Sequence, residues 1–215
     1  MQPKDHALAV VKAALNLIPV FGGTLGSLIG DYVPSSTQER IDRAVEMLGE
    51  KLTSLQARLD IDAVNKEDFA ELFKSCYLVI VRTHREEKMR AATSILANLL
   101  LRPGDADKAP YEELDHLIRC VDALSIGAIS VLGAARRIAN TAAMGSQGHF
   151  QFSQLASSFK HFDASLVMSL VSELRSLNLL RVQEPSIRLA DYGNYLIEIT
   201  PIGRRFVERF IEGTV

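Results

Sequence analysis

The chain has 215 residues, 47% of them hydrophobic and 23% charged, with a net charge of −2. That is enough chain to bury a sizeable core in one or two domains, and too apolar for a disordered protein. The near-balance of 24 basic and 26 acidic residues excludes an overall field that would draw in nucleic acid or an anionic membrane.

The opening stretch, Ala7 to Gly30, holds only Lys12 and Asn16 as strongly polar residues. Gly22, Gly26 and Gly30 recur four apart. On a helix this spacing makes a bare stripe where another backbone approaches closely, the small-xxx-small pattern of packed membrane helices. Asp5 beside Lys4, the interruption at Lys12 and the lack of a cleavage pattern after Ile18 argue against a removed signal peptide. Pro19 and Gly22-Gly23 split the stretch into two halves of about 18 Å at helical rise, each too short to cross a ~30 Å hydrocarbon core. The expectation is an apolar helical hairpin over about residues 4–33. Lys12, Phe21, Gly22, Gly26 and Gly30 are its candidate membrane or partner contacts. A buried hairpin in a soluble bundle and an oligomer seam remain open beside lipid contact.

Ser36 to Glu39 has the form of a capping box. From there Ile41, Val45, Leu48, Leu52, Leu55 and Leu59 alternate steps of four and three, an a/d seam of under three heptads that suits packing inside a bundle. Asn65 is placed to cap a long helix. Its apolar pattern continues through Phe69, Cys76 and Ile80, past the charged run Arg82 to Arg90, and on to Leu100, before Pro103-Gly104 ends it. The run reads as a solvated helix face with an Arg82–Glu86 pair at i,i+4. Tyr111–Ala123 and Ile126 to about Asn140 are two further helices, the second capped by Ser125. Gly145 to Gly148 is read as a linker closing a helical bundle, residues 1–145, that contains no strands.

The tail, residues 150–215, changes character. A short helix over Ser153 to Phe159 precedes a second one capped by Asp163. The strand-like runs Leu179 to Val182 and Tyr195 to Ile199 follow, and a closing helix runs from Ile202 to Ile211 with Thr200 as N-cap and Pro201 at its first position. β-structure is expected only within about residues 179–199. Helix, helix, two-stranded wing and terminal helix is the order of a winged helix-turn-helix. The fold class expected is thus mainly α: an N-terminal helical bundle with an apolar Gly-rich hairpin, then a small α+β winged-helix module.

The candidate recognition helix, Asp163 to Asn178, offers Ser165, Ser169, Ser172 and Arg175, with Glu173 opposing. A DNA reader presents a basic face. From Phe150 to Val215, however, seven Lys or Arg face seven Asp or Glu. Protein docking is therefore the preferred use of this module, ahead of DNA.

Cys76 and Cys120 sit in apolar helical patterns without metal-ligand spacing, so no disulfide framework or zinc site is expected and a reducing cytoplasm is the default compartment. The five histidines are scattered. No phosphate-binding loop, nucleophile elbow or paired-carboxylate motif occurs. No catalytic residue, metal, cofactor or small-molecule substrate is inferred, and the chain is read as non-enzymatic.

The order of features resembles bacterial helical proteins of the abortive-infection alpha type. The segments that carry the likeness are NLIPVFGGTLGSLIGDYVP, KMRAATSILANLL, LDHLIRCVDALSIGAISVL, LVSELRSLNLL and YLIEITPIGRRFVERF. They are apolar patterns that span most of the chain and include no invariant chemical motif, so no functional residue is carried over. The resemblance implies antiviral defence against phage, with membrane damage as one route. The opening also resembles, by analogy alone, the N-terminal helices of HeLo-type cell-death domains. The leading expectation is a membrane-associated or partner-binding effector that self-associates or binds a protein. The alternatives are a cytoplasmic winged-helix DNA-binding regulator, in which the bundle serves dimerisation, and a structural assembly subunit.

Overall fold

The computed structural model describes residues 35–142, 149–184 and 192–212. The apolar opening, with Lys12, Phe21, Gly22, Gly26 and Gly30, lies outside the described residues. The chain is mainly helical, with a small antiparallel sheet near its C-terminal end, and divides into two compact units between Asp122 and Ala123.

In the N-terminal unit, α1 (Ser35–Ser54), α2 (Lys66–Arg82) and α3 (Glu86–Leu99) pack together, and α4 (Tyr111–Ala123) follows. Every residue from Ala91 to Leu99 is buried, which makes α3 the central helix. Its small residues Ala91, Ala92, Thr93, Ser94 and Ala97 leave room for α1 and α2 to approach. The single buried stripe of α2 (Phe69, Leu72, Cys76, Val79) is what an outer helix requires. Asn65 caps α2 as its sequence position implies, accepting from the amides of Glu67 at 2.9 Å and Asp68 at 3.3 Å.

Four expectations for this unit are corrected. First, the helix over 65–100 is two helices. Thr83 adopts an extended conformation (φ −107°, ψ 146°), and its hydroxyl accepts from the Arg85 amide at 3.1 Å, a local turn that competes with helix. The break lets α2 and α3 pack on each other, which one continuous helix could not do. Second, the Arg82–Glu86 pair does not form: Arg82 pairs with Asp122 at 3.7 Å and Glu86 with Arg90 at 3.0 Å. Third, α1 ends at Ser54 and a 3-10 turn, Gln56–Arg58, carries the chain away. Leu55 is buried beyond the helix, and Leu59 pairs with Leu101 in an isolated bridge. Fourth, Ser36 falls inside α1 rather than ahead of it.

The loop after α3 is tied down by charge. The Arg58 guanidinium grips Asp105 through two bonds of 2.9 and 2.6 Å and reaches Asp107 at 2.6 Å. That hydrogen-bonded guanidinium holds the Asp105 carboxyl well below the usual carboxylate range. Asn98 donates to the Asp107 carbonyl at 2.9 Å and accepts from the Ala109 amide at 2.8 Å.

The C-terminal unit begins with α5 (Ile126–Ala142), which the sequence reading assigned to the bundle. Its contacts run instead to the elements that follow: β1 (His149–Gln151), α6 (Phe152–Ala156), α7 (Ala164–Ser176) and β3 (Leu196–Ile199). With β2 (Leu180–Gln183), the strands form one antiparallel sheet in the order β1-β3-β2. Phe150 stands opposite Ile197, which in turn stands opposite Val182. β1 corrects the expectation that strands are confined to 179–199. Three residues are too short for an alternation signal, and β1 exists because β3 has a free edge to pair with. Phe150, Phe152, Val167, Val171, Leu174, Ile197 and Phe206 are buried in this unit.

The chain closes with α8 (Pro201–Arg205), which continues into a π-turn over Phe206–Ile211. Thr200 is its N-cap and Pro201 occupies the first helical position.

Candidate functional site

Two surfaces of the described chain have the chemistry of contact sites, one in each unit.

The first is built on α7. Asp163 starts the helix, its carboxylate accepting from the Leu166 amide and the Ser165 hydroxyl, both at 2.7 Å. Those bonds, the hydroxyl's first, hold its pKa below the ordinary carboxylate value. Val167, Leu170, Val171 and Leu174 are buried, which fixes the opposite face outward. Ser165, Ser169 and Ser172 come together along that outward face, as their spacing implies. Ser169 donates to the Ser165 carbonyl at 3.0 Å and Ser172 to the Met168 carbonyl at 2.9 Å. Their hydroxyl protons are thus spent on the helix, and what faces outward are acceptor lone pairs.

The remaining charges of α7 are engaged. Arg175 is exposed, about 60° around the helix from Ser172, and it pairs with Glu184 at 3.5 Å. Glu173 does not oppose the serines. It turns onto the start of α5, where its carboxylate accepts from the amide and hydroxyl of Ser125. Elsewhere in this unit Arg136 pairs with Glu208 and Glu212, and Arg181 lies 3.7 Å from Glu198.

The sequence reading missed an aromatic lead-in to this helix. Phe159 and Phe162 stack with centroids 5.5 Å apart and planes 2° from parallel. Phe162 is 37% exposed and Leu166, one turn on, 43%. The signal was present as Phe159, Phe162 and Leu166 at steps of three and four, but only the packing shows that these side chains reach solvent. Residues 185–191, with Arg188, are outside the described residues. Ahead of β3, Tyr192 meets Tyr195 edge-on at 5.6 Å and Phe152 at 6.2 Å.

The second surface is an apolar groove of about 60 Å³ in the N-terminal unit, lined by α1, α2 and α3. Ile41, Val45, Tyr77 and Ile80 form its half-buried lips, and Cys76 and Leu96 lie deeper. Drug-sized ligands occupy pockets of about 300–1,000 Å³, so this space accepts side-chain knobs rather than a metabolite. Its deeper polar side chains are already used. The Thr93 hydroxyl donates to the Met89 carbonyl at 3.0 Å, and the Cys76 thiol to the Ala92 carbonyl at 3.5 Å. Burial pushes that thiol's pKa far up, so it stays protonated and is a packing group, not a nucleophile.

Among the described residues, no group of three or more His, Cys, Asp or Glu is placed to hold a metal ion, and no helix is long and apolar enough to cross a membrane. Comparison with known proteins returned no matching family, no matching curated protein and no matching solved structure.

Proposed function

We propose that this is a non-enzymatic interaction protein with two working parts. The apolar opening segment acts on a membrane or a protein partner, and the C-terminal unit is a winged-helix module that docks protein rather than DNA. The order α5, β1, α6, α7, β2, β3 supports the winged-helix reading: helix, strand, two helices and then a hairpin whose loop is the wing. In that reading α7 is the recognition helix.

The observation that carries the choice of protein over DNA is the outward face of α7. It offers Ser165, Ser169 and Ser172, flanked by Leu166 on one side and on the other by Arg175, the only cation of α7, which pairs with Glu184, and it follows directly on the exposed Phe162. DNA readers place Arg, Lys, Asn or Gln against base edges and gain most of their affinity from cations on phosphates. Exposed aromatic and aliphatic side chains ringed by small polar groups are instead the make-up of a protein contact. Taken with the resemblance to abortive-infection alpha proteins, the reading extends to a phage-defence effector whose opening segment disturbs a membrane.

Two titrations test it. Against duplex DNA, the full chain is expected to bind no tighter than about 10⁻⁶ M at physiological salt, the range of non-specific contact. Tight, salt-dependent binding would overturn protein docking in favour of the DNA-binding regulator. Against dye-loaded liposomes, wild-type protein is expected to cause release and Gly26→Leu to abolish it, because a leucine in the glycine stripe blocks close helix assembly. A wild-type chain that neither binds nor permeabilises liposomes, together with a destabilised Gly26→Leu, would remove the membrane arm.

A further inference from the structure

The groove of the N-terminal unit points to its own occupant. Its lips on α1, Ile41 and Val45, begin six residues after Ser35, where the described chain starts. From Ile41 to Leu48 the groove follows α1 for seven residues, about 10 Å at helical rise. Immediately ahead of α1 the sequence runs through 22–33, twelve residues with Asp31 as their one charge, about 18 Å if helical.

Placed on a helical wheel, Leu25, Leu28, Ile29 and Tyr32 fall within an arc of about 100°, the width of one core-facing stripe. Gly22, Gly26 and Gly30 fall on the neighbouring arc. One face of this segment therefore carries four large apolar residues, and the next carries three glycines and only Val33 at its end. The groove, for its part, has a mostly apolar lining in which the Thr93 hydroxyl and the Cys76 thiol are already bonded inward, so it suits an apolar side chain better than a polar ligand. A segment joined by one or two residues to the first helix of the groove is present at the millimolar effective concentration of a short linker.

We propose that residues 22–33 dock in the groove between α1, α2 and α3 of their own chain, with Leu25, Leu28 and Ile29 as knobs and the glycine stripe left outward. In this arrangement the apolar segment is held against its own unit, and a lipid surface or partner engages its large side chains only by competing with the groove for them. The dock does not depend on what the segment does once released.

Hydrogen exchange of the full-length protein, read by mass spectrometry, tests it. Peptides covering 22–33 are expected to be protected in wild type, and Val45→Glu, which puts a charge on the groove lip, should accelerate their exchange by about tenfold or more. The amides of α2 and α3 should stay protected, and Leu78→Glu, on the exposed side of α2, should leave 22–33 unchanged. Should Val45→Glu unfold the unit, Ile29→Glu applies the same perturbation from the segment's side and must give the same acceleration. A segment unprotected in wild type, or equally protected in Val45→Glu and Ile29→Glu, overturns the proposal. Protection that appears only as protein concentration rises overturns it in favour of a second copy. Dye release separates this from the membrane reading: a Val45→Glu chain that frees the segment yet releases no dye leaves the dock standing and removes the membrane arm.

Discussion

Gly203→Ala is the sharpest probe of how the C-terminal unit closes. A Cβ on Gly203 would lie 2.1 Å from the Leu179 carbonyl oxygen, 3.0 Å from its carbon and 3.2 Å from Leu179 Cα. All three are backbone atoms, so no side chain can swing away. Ordinary carbon–oxygen approach is about 3.3 Å, so the start of α8 must move by about 1.2 Å from the chain leading into β2. Two hydrogen bonds anchor that approach. The Thr200 amide donates to the Leu179 carbonyl at 3.2 Å, and the Thr200 hydroxyl donates at 2.8 Å to the Asn178 carbonyl. Overpacking costs about 1–3 kcal/mol and two lost hydrogen bonds about 1 kcal/mol each, while alanine regains about 1 kcal/mol in helix propensity. The net expectation is a loss of about 2–4 kcal/mol, read as exchange of the β2 and β3 amides at least about 30-fold faster than in wild type. Gly133→Ala is the control. Its Cβ would meet only the Arg137 and Glu212 side-chain ends at 3.6 and 3.9 Å, so the helix gain of up to about 1 kcal/mol should appear undiminished. A Gly203→Ala protein whose strand amides exchange at the wild-type rate would refute the close approach of α8 to Leu179.

Two further outcomes follow from the N-terminal unit. Leu52, 1% exposed on the buried side of α1, should not tolerate Leu52→Asp; an unpaired buried charge costs several kcal/mol, and an unchanged urea midpoint would show that this side of α1 is not core. The Arg58–Asp105 contact should give the unit an acid limb. Because the folded-state pKa of Asp105 is depressed by the Arg58 hydrogen bonds, its contribution is complete above the ordinary aspartate value near 4 and is lost as pH falls through the lower folded value. Asp105→Asn should flatten the dependence of the unfolding midpoint on pH below about 4, and an identical acid limb in both proteins would place its origin elsewhere.

What the sequence alone determined is what depends on neighbours in the chain. Asn65, Ser125, Asp163 and Thr200 all cap the helices they precede, because a cap is a bond between a side chain and an amide two or three residues on. The burial of Leu48 and Leu52 and the outward line of Ser165, Ser169 and Ser172 were likewise legible, since helical period converts spacing directly into a face. What only the tertiary structure decided depends on partners far along the chain. The break at Thr83 is closed by a local hydroxyl-bonded turn, but the packing of α2 on α3 is what selects it over a continuous helix, and the apolar period runs straight through it. β1 exists because β3, some 47 residues later, has an edge to offer. The same holds for the direction of Glu173, drawn to Ser125 across 48 residues. It holds too for the exposure of Phe162 and Leu166 and for the groove at Ile41, Val45 and Tyr77. An apolar residue in a helical pattern carries no mark of whether its face will be covered; that depends on which other helices arrive, and their arrival is a property of the folded chain.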